Sequence, residues 1–301
     1  MRWITRWPLI LLGLSIGIAN AWPADASAGP ELSREYGDFM EVHEQTRGLT
    51  TAQRASAILD SFENNFANYS TRDPSELGDQ DLLTLFRAAN IAHAYSISRK
   101  ALQVMMQTFE ALSTRDLVSQ RTYGDMHGAL VASRDIAQAR GLEDRFPLFA
   151  VERMPDIAFD SISGATAIAV PASGSTLRRV ELKVNNGPRI IVISHPLCHF
   201  SRDAIAAIEA DGDLSIVMLN SIWIAPVDRQ LYIDVLREWN IEHEKHPMVI
   251  AFDRAELPAL DSWSTPTFYF LKDGRVVSVV EGWPSEGRKR EIIAAARSIG
   301  L

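Results

Sequence analysis

The spacing of the apolar residues changes once along this chain of 301 residues, and the change divides the chain into two unlike parts. From about 30 to 145, apolar residues recur every three or four positions, which predicts amphipathic helices. One such run is Ala55, Ile58, Leu59, Phe62 and Phe66. From about 155 to 301, short β-branched runs alternate with helical segments. We therefore predict an α+β protein with a helical domain over 30–145 and a mixed α/β domain over 155–301.

The helical part has the length expected of stacked antiparallel helix pairs of about 35 residues each, as in tetratricopeptide-like arrays. The Trp-Leu-Gly-Tyr signature of that repeat is absent, and a plain helix bundle explains the same pattern equally well. Residues 129–139 are predicted to form one helix that ends at Gly141. Three histidines lie singly on separate predicted helices, and we interpret each of them as structural: His43, His93 and His127.

The second part contains several predicted strands. Residues 189–194 form a continuous apolar run of the kind found in the middle of a sheet, and a helix is predicted over 201–210. Residues 214–220 are predicted to be the next buried strand. Near the end of the chain, residues 272–275 read Lys-Asp-Gly-Arg and predict a hairpin turn. Crossover helices join parallel strands and a hairpin adds an antiparallel one, so we expect a mixed sheet.

The first residues have the pattern of a signal peptide. Arg2 and Arg6 precede an apolar run over 9–18, and residues 19–21 (Ala-Asn-Ala) give the small-x-small pattern that signal peptidase cleaves. We predict a signal peptide over 1–21, with cleavage as late as 28 as an alternative, and hence an exported protein, periplasmic or secreted. The apolar run is too short to span a bilayer as a helix. No stable membrane span is therefore expected in the mature chain, although an uncleaved anchor is the competing interpretation.

Composition excludes several classes of function. The chain has 30 Lys and Arg residues against 38 Asp and Glu, a net charge of −8, which disfavours a nucleic-acid partner. Cys198 is the only cysteine in the sequence, so no disulfide can form within one chain, and cysteine-rich zinc or iron–sulfur sites are excluded. Glycine-rich phosphate loops and hydrolase motifs are absent from the sequence. No cofactor is predicted.

A pair of motifs identifies a family that this second part resembles. Cys198 lies just after the predicted central strand and at the start of a helix, and Ser264-Thr265-Pro266-Thr267 precedes the hairpin. This combination resembles the thioredoxin superfamily, and the long segment between the motifs is most similar to TlpA-type exported proteins. The resemblance covers residues 155–301. It implies that Cys198 is the nucleophile, that Pro266 is a cis proline facing the sulfur, and that the backbone of Thr265 pairs with an incoming peptide.

The motif departs from the Cys-x-x-Cys of the family, because the sequence reads Cys198-His199-Phe200-Ser201. Ser201 occupies the position of the second thiol and cannot resolve a mixed disulfide. The start of a helix favours the thiolate form of a cysteine, and His195 and His199 would favour it further if they were protonated. The resemblance therefore implies a site with one thiol.

Three functions remain open at this stage. In the first, Cys198 carries out thiol–disulfide exchange or isomerisation on client proteins, with Thr265 and Pro266 holding the peptide and a small thiol as reductant. In the second, the fold is a redox-inactive binding protein that works through its helical domain, and Ser201 is an N-cap. In the third, the protein handles copper or zinc through His195, Cys198 and His199.

Overall fold

A computed structural model describes residues 29–69, 71–159, 162, 164–174 and 176–301 of the chain. The predicted signal peptide over 1–21 and its alternative cleavage point at 28 lie outside the described residues. No helix in the described part of the chain combines the length and the apolar character that a membrane span requires.

The described residues before position 146 form helices joined by short connections. Several of the helices begin at a residue whose side chain accepts a hydrogen bond from the backbone of the first turn, as Thr50, Ser98 and Ser119 do. The α-helices are α1 (Pro30–Gln45), α2 (Thr51–Phe66), α3 (Asp79–Ser96), α4 (Arg99–Thr114), α5 (Gln120–Ala132) and α6 (Ile136–Arg145). The helical prediction for this part is confirmed, whereas the tetratricopeptide-like repeat stays a prediction.

The prediction of one helix over 129–139 was wrong. The chain leaves α5 at Ala132, passes through Arg134 in the left-handed region with φ 58°, and starts α6 at Ile136. Asp135 caps the new helix by accepting a hydrogen bond from the backbone N–H of Gln138. The helix also continues past Gly141, which has helical neighbours on both sides. The apolar spacing runs on across this break, so periodicity alone could not reveal it.

The second part is built on a mixed sheet of eight strands among the described residues, in the order β1-β3-β2-β6-β5-β4-β7-β8. The strands are β1 (Ile157–Ala158), β2 (Thr166–Ala169), β3 (Leu177–Glu181), β4 (Pro188–Ile193), β5 (Ser221–Ala225), β6 (Met248–Ala251), β7 (Thr267–Lys272) and β8 (Arg275–Glu281). Strands β4, β5 and β6 run parallel to one another, and β7 is antiparallel to β4 and β8. The prediction of a mixed sheet is confirmed.

The predicted strand over 214–220 was wrong, because most of this segment is a helix. It forms α8 (Ser215–Asn220), and the next strand, β5, begins at Ser221. Val217 and Met218 are buried while Leu219 is 82% exposed, a pattern that suits one face of a helix. A short apolar run does not distinguish a buried strand from a helix, which explains the error. The other helices of this part are α7 (His199–Ala210), α9 (Ile233–Glu242) and α10 (Lys289–Ile299).

The helical part and the sheet share a hydrophobic core. One continuous cluster of buried side chains includes Phe39 and Leu85 from the helices, and Ile190, Trp223 and Phe268 from the sheet. A second cluster covers the other face of the sheet, with contributions from alternate strand residues and from the end of α5: Ile191, Ile193, Tyr269 and Ala132. The buried side chains of the helices and of the sheet are thus connected within one cluster.

Candidate functional site

Strand pairing brings the two predicted motifs together. The last residue of β4, Ile193, is paired with the first residue of β7, Thr267. Because the two strands are antiparallel, the segment that follows β4 and the segment that precedes β7 lie at the same end of the strands. Cys198 belongs to the first segment and Thr265 to the second. The hydrogen-bonded register of the sheet therefore positions the site.

A tight turn places Cys198 at the start of α7. The backbone N–H of Cys198 donates to the carbonyl oxygen of His195, and Pro196 occupies the second position of this turn, where its fixed φ is favoured. The carbonyl oxygen of Cys198 accepts from the N–H groups of Ser201 and Arg202. Cys198 is thus the N-cap residue of α7, with extended backbone angles. Its sulfur lies near the positive end of the helix dipole.

The thiol of Cys198 faces the second motif directly. Its Sγ atom lies 3.3 Å from the carbonyl oxygen of Thr265, to which the thiol donates a hydrogen bond. The Thr265–Pro266 peptide bond is cis, as the family resemblance implied. Cys198 is a free cysteine and is partly accessible to solvent. A reagent that reached the sulfur would meet the backbone of Thr265 at the same time.

Ser201 lies beneath the turn and is fully buried. Its Oγ atom accepts a hydrogen bond from the backbone N–H of His195 over 3.4 Å. The interpretation of Ser201 as an N-cap was wrong, because Cys198 is the N-cap of α7 and Ser201 lies in the first turn. Its hydroxyl group thus contacts one end of the His195–Cys198 turn, and its backbone N–H donates to the Cys198 carbonyl oxygen at the other end.

His195 is held neutral beside the site. Its Nδ1 atom accepts a hydrogen bond from the backbone N–H of Leu197 over 3.2 Å, so the proton of the neutral ring lies on Nε2. Burial lowers the pKa of His195, and the negative charge of Asp228 opposes this shift. The ring of Tyr232 packs edge-on against it, with 5.0 Å between ring centres. A neutral ring carries no positive charge that would stabilise a thiolate.

Two exposed apolar side chains lie close to Cys198 in the sequence. Leu197 is 41% exposed and Phe200 is 46% exposed. The ring of His199 lies against that of Phe200, with 3.8 Å between their centres. Exposed apolar groups that lie together on a surface are typical of a site that binds another molecule. His199 therefore belongs to the rim of the site.

The geometry of the described residues does not support the metal-binding alternative. Among the described residues, no group of three or more His, Cys, Asp or Glu side chains is close enough to hold a metal ion. Two of the other histidines have carboxylate partners: the ring of His243 lies 2.8 Å from a carboxylate oxygen of Glu209, and that of His127 lies 2.8 Å from Glu143.

One residue near the site carried no signal in the sequence. Glu152 lies in the segment between α6 and β1, and its carboxylate accepts hydrogen bonds from three successive backbone N–H groups at the start of α9: those of Leu231, Tyr232 and Ile233. These groups have no partner within the helix, so the carboxylate satisfies them and complements the dipole. Glu152 thereby fixes Tyr232, which has a left-handed φ of 53° and packs on His195.

Two arginines form hydrogen bonds between the helical part and the end of the sheet at which Cys198 lies. Arg134 donates to the carbonyl oxygens of Ala251 and Phe252 at the end of β6, and burial lowers the pKa of this arginine to about 10. Arg229, which follows β5, donates to the side chain of Asn90 and to the carbonyl oxygen of Asp125. The parallel strands β4, β5 and β6 have their carboxyl ends on the same side of the sheet. The contacts of Arg134 and Arg229 with the helices and the turn that carries Cys198 therefore lie at that end of the sheet.

No protein-family model matches the chain, and no curated protein is similar to it in sequence. A solved structure described as a thioredoxin-like protein from Bacteroides caccae ATCC 43185 is similar to it, with 13% sequence identity and a TM-score of 0.30. The match covers 89% of this chain and 95% of that chain. Helices followed by a mixed sheet are consistent with a thioredoxin-like fold.

Proposed function

We propose that this protein is an exported, TlpA-like monothiol exchanger that isomerises or reduces disulfides of client proteins through Cys198. The observation that carries the proposal is the position of the sulfur: partly exposed, at the start of α7, and 3.3 Å from the Thr265 carbonyl oxygen. Export follows from the predicted signal peptide over 1–21, and a client protein in that compartment would contain disulfides.

The exchange requires that the thiol lose its proton. In the free protein the thiol donates to the carbonyl oxygen of Thr265. An extended peptide that paired with the backbone of Thr265 would compete for that oxygen and release the sulfur. The thiolate is the attacking species, and the helix start that Cys198 caps would stabilise it. Binding of the client and activation of the sulfur are therefore linked in this proposal.

The reaction balances without a second thiol in this chain. The Cys198 thiolate attacks one sulfur of a client disulfide, forms a mixed disulfide, and releases the other client sulfur as a thiolate. In isomerisation, a thiolate of the client attacks the mixed disulfide, forms a new client disulfide and regenerates Cys198, with no net change in oxidation state. In net reduction, a small thiol attacks the Cys198 sulfur of the mixed disulfide and releases the client with both its sulfurs as thiols. A second small thiol then attacks the first one, regenerates the Cys198 thiol and leaves as the disulfide of the small thiol, which is the oxidised product.

The helices would contribute by holding the client. Arg134 and Arg229 fix them at the edge of the sheet where Cys198 lies, so a folded client in contact with the helices is held near the sulfur. The apolar rim formed by Leu197 and Phe200 would contact the client chain beside its disulfide. The competing function, a binding protein with an inert cysteine, shares this surface and differs in the chemistry of Cys198.

The decisive experiment is recovery of activity by a ribonuclease with scrambled disulfides in the presence of a small thiol. We expect the wild-type protein to accelerate recovery and Cys198→Ser to give the rate of the small thiol alone. Ser56→Ala is the matched control, because it removes an exposed hydroxyl on α2 and leaves the turn before Cys198 unchanged. Equal rates for the wild type and Cys198→Ser, with the sulfur inert to alkylation until unfolding, would contradict the exchanger and support the binding protein.

A further inference from the structure

A cavity of about 240 Å³ lies where the helical part meets the segment that leads into the sheet. It is bounded by one face of α5, by the segment 150–154, and by Arg229 and Gln230 from the loop after β5. Pockets for drug-sized ligands begin at roughly 300 Å³, so this cavity has room for a smaller molecule. Its lining includes neither Cys198 nor Thr265, and the cavity is therefore separate from the thiol site.

Two glycines lie one turn apart on α5, next to Arg229 and the cavity. Gly128 allows Arg229 to lie against the helix, because a Cβ atom at Gly128 would come within 3.0 Å of the Cβ of Arg229 and within 3.1 Å of its Nε. Gly124 lines the cavity, and a Cβ atom there would meet no heavy atom of the described residues within 4 Å beyond the adjacent helix backbone. Glycine inside a helix is destabilising relative to alanine. At Gly124 no close contact explains the glycine, and the space that it leaves is part of the cavity.

Two guanidinium groups share one carboxylate beside this space. The Nε atom of Arg121 lies 4.0 Å from Oδ2 of Asp125, and Nη1 of Arg229 lies 3.8 Å from Oδ1 of the same group. Both distances exceed the range of a hydrogen bond. Arg229 is held in place by its Nη2 atom, which donates to the side chain of Asn90 and to the backbone carbonyl oxygen of Asp125. The two arginines and Asp125 together carry one net positive charge.

Three other polar side chains of the lining already have partners. Gln120 exchanges two hydrogen bonds with the backbone of Ala150, and the ring of His127 lies 2.8 Å from a carboxylate oxygen of Glu143. Glu152 is the second carboxylate of the lining, and it accepts from three backbone N–H groups at the start of α9. These groups and the positive end of the α9 dipole compensate its charge. The surplus charge of the two guanidinium groups is therefore the feature that a ligand would neutralise.

We propose that the cavity binds a small organic carboxylate, whose charged end lies between Arg121 and Arg229 and whose apolar body lies over Gly124. Guanidinium groups donate paired, charge-assisted hydrogen bonds to carboxylates, and these are stronger than hydrogen bonds to a neutral acceptor. The bound ligand would balance the charge, because two guanidinium groups would then face two carboxylates. The apolar part of the lining would contact the body of the ligand: Val131, Ala150, Val151 and Met154.

Isothermal titration calorimetry with benzoate at constant ionic strength tests the proposal, with hexanoate as a second carboxylate of different shape. We expect the wild type to bind one molecule per chain. Benzamide, the neutral isostere of benzoate, should bind at least tenfold more weakly. Arg121→Gln should weaken carboxylate binding roughly tenfold. Arg47→Gln, which changes an exposed arginine after α1, should leave the affinity unchanged.

A larger side chain at Gly124 tests the location of the site. Leucine favours a helix more than glycine does, so Gly124→Leu should fold with the circular dichroism of the wild type and lose carboxylate binding. Gly141→Leu is the matched control, because Gly141 is exposed on α6 and a Cβ atom there would also meet no heavy atom of the described residues within 4 Å. This control should keep the wild-type affinity.

Three results would each overturn the proposal. Undiminished binding by Gly124→Leu would place the ligand elsewhere, and equal binding of benzoate and benzamide would mean that charge does not select the ligand. A wild type that binds neither carboxylate would show that the cavity is not a site for this class of molecule. The titrations do not involve the chemistry of Cys198, so their outcome is independent of the exchange activity proposed above.

Discussion

The Sγ atom of Cys198 lies 3.3 Å from the carbonyl oxygen of Thr265, although the two residues belong to segments far apart in the chain. The register of β4 and β7 creates this contact, since Ile193 is paired with Thr267. The thiol is thereby held by a group that an extended peptide would also use. This relationship connects the two parts of the thioredoxin-like motif and gives the single cysteine a defined partner.

Replacement of Ser201 by cysteine should restore a dithiol site. Residues three apart in the first turn of a helix lie close enough for their sulfur atoms to meet after a small shift. We expect Ser201→Cys to form a disulfide with Cys198 on mild oxidation, which peptide mapping and thiol counting would detect. Ser201→Ala should retain one free thiol under the same conditions. Two thiols that stay free, or that link only between chains, would mean that the turn holds the residues apart.

Stability should decrease as the pH falls through the range in which His93 titrates. This ring is fully buried, and burial, with the nearby charge of Arg229, lowers its pKa from 6.5 to about 4. Between these values the unfolded chain binds a proton that the folded protein does not, so acidification favours unfolding by up to about 3 kcal/mol at the lower end. This contribution is fully present above pH 6.5. Urea unfolding at neutral pH and at a pH close to 4 measures it.

The variant His93→Gln separates this contribution from general acid effects. In His93→Gln the free energy of unfolding should fall less between neutral pH and pH 4 than in the wild type, by about 3 kcal/mol, because the amide does not titrate. Gln is chosen since it can still form a hydrogen bond with Ser133, the present partner of His93. An unchanged dependence in His93→Gln would show that another group is responsible.

Removal of the Glu152 carboxylate should destabilise the start of α9. Three backbone N–H groups donate to it, with distances between 2.7 and 3.1 Å. We expect Glu152→Ala to lower the free energy of unfolding by about 2 kcal/mol, within the range for capping and charge-assisted hydrogen bonds. Glu152→Gln should lose less, because it retains one acceptor oxygen. Glu238→Ala, an exposed change on the same helix, should have an effect below about 0.5 kcal/mol.

Arg229 should contribute more to stability than surface arginines do. Burial raises the pKa of Asp125, and the charge of Arg229 opposes this shift. Arg229→Ala removes that charge and the hydrogen bonds to Asn90 and Asp125, so we expect a loss of about 2 to 3 kcal/mol in chemical unfolding. Arg47→Ala disrupts an exposed pair with Glu44 and should cost less than about 1 kcal/mol. Equal losses would contradict a special role for the arginine between helices and sheet.

Local patterns in the sequence were sufficient to predict the class of the fold and to identify Cys198, Thr265 and Pro266 as candidate site residues. Periodicity identified helices before position 146 and a mixed sheet after it, because burial on one face imposes a spacing that can be read without knowing the partner. The turn that ends at Cys198 depends on Pro196 and on the start of α7, both of which are local. The Thr265-Pro266 motif was likewise visible in the sequence.

Only the tertiary structure decided which segments meet. Residues far apart in the chain are joined by the pairing of β4 with β7, by the hydrogen bonds that the start of α9 donates to Glu152, and by the contact of Arg229 with the helices. Periodicity indicates which face of a segment is buried, but it does not indicate the element against which that face packs. For the same reason, residues 215–220 are a helix where an apolar run suggested a strand, and Ser201 lies under a turn rather than capping a helix. Long-range packing and hydrogen bonding select among arrangements that local patterns leave open.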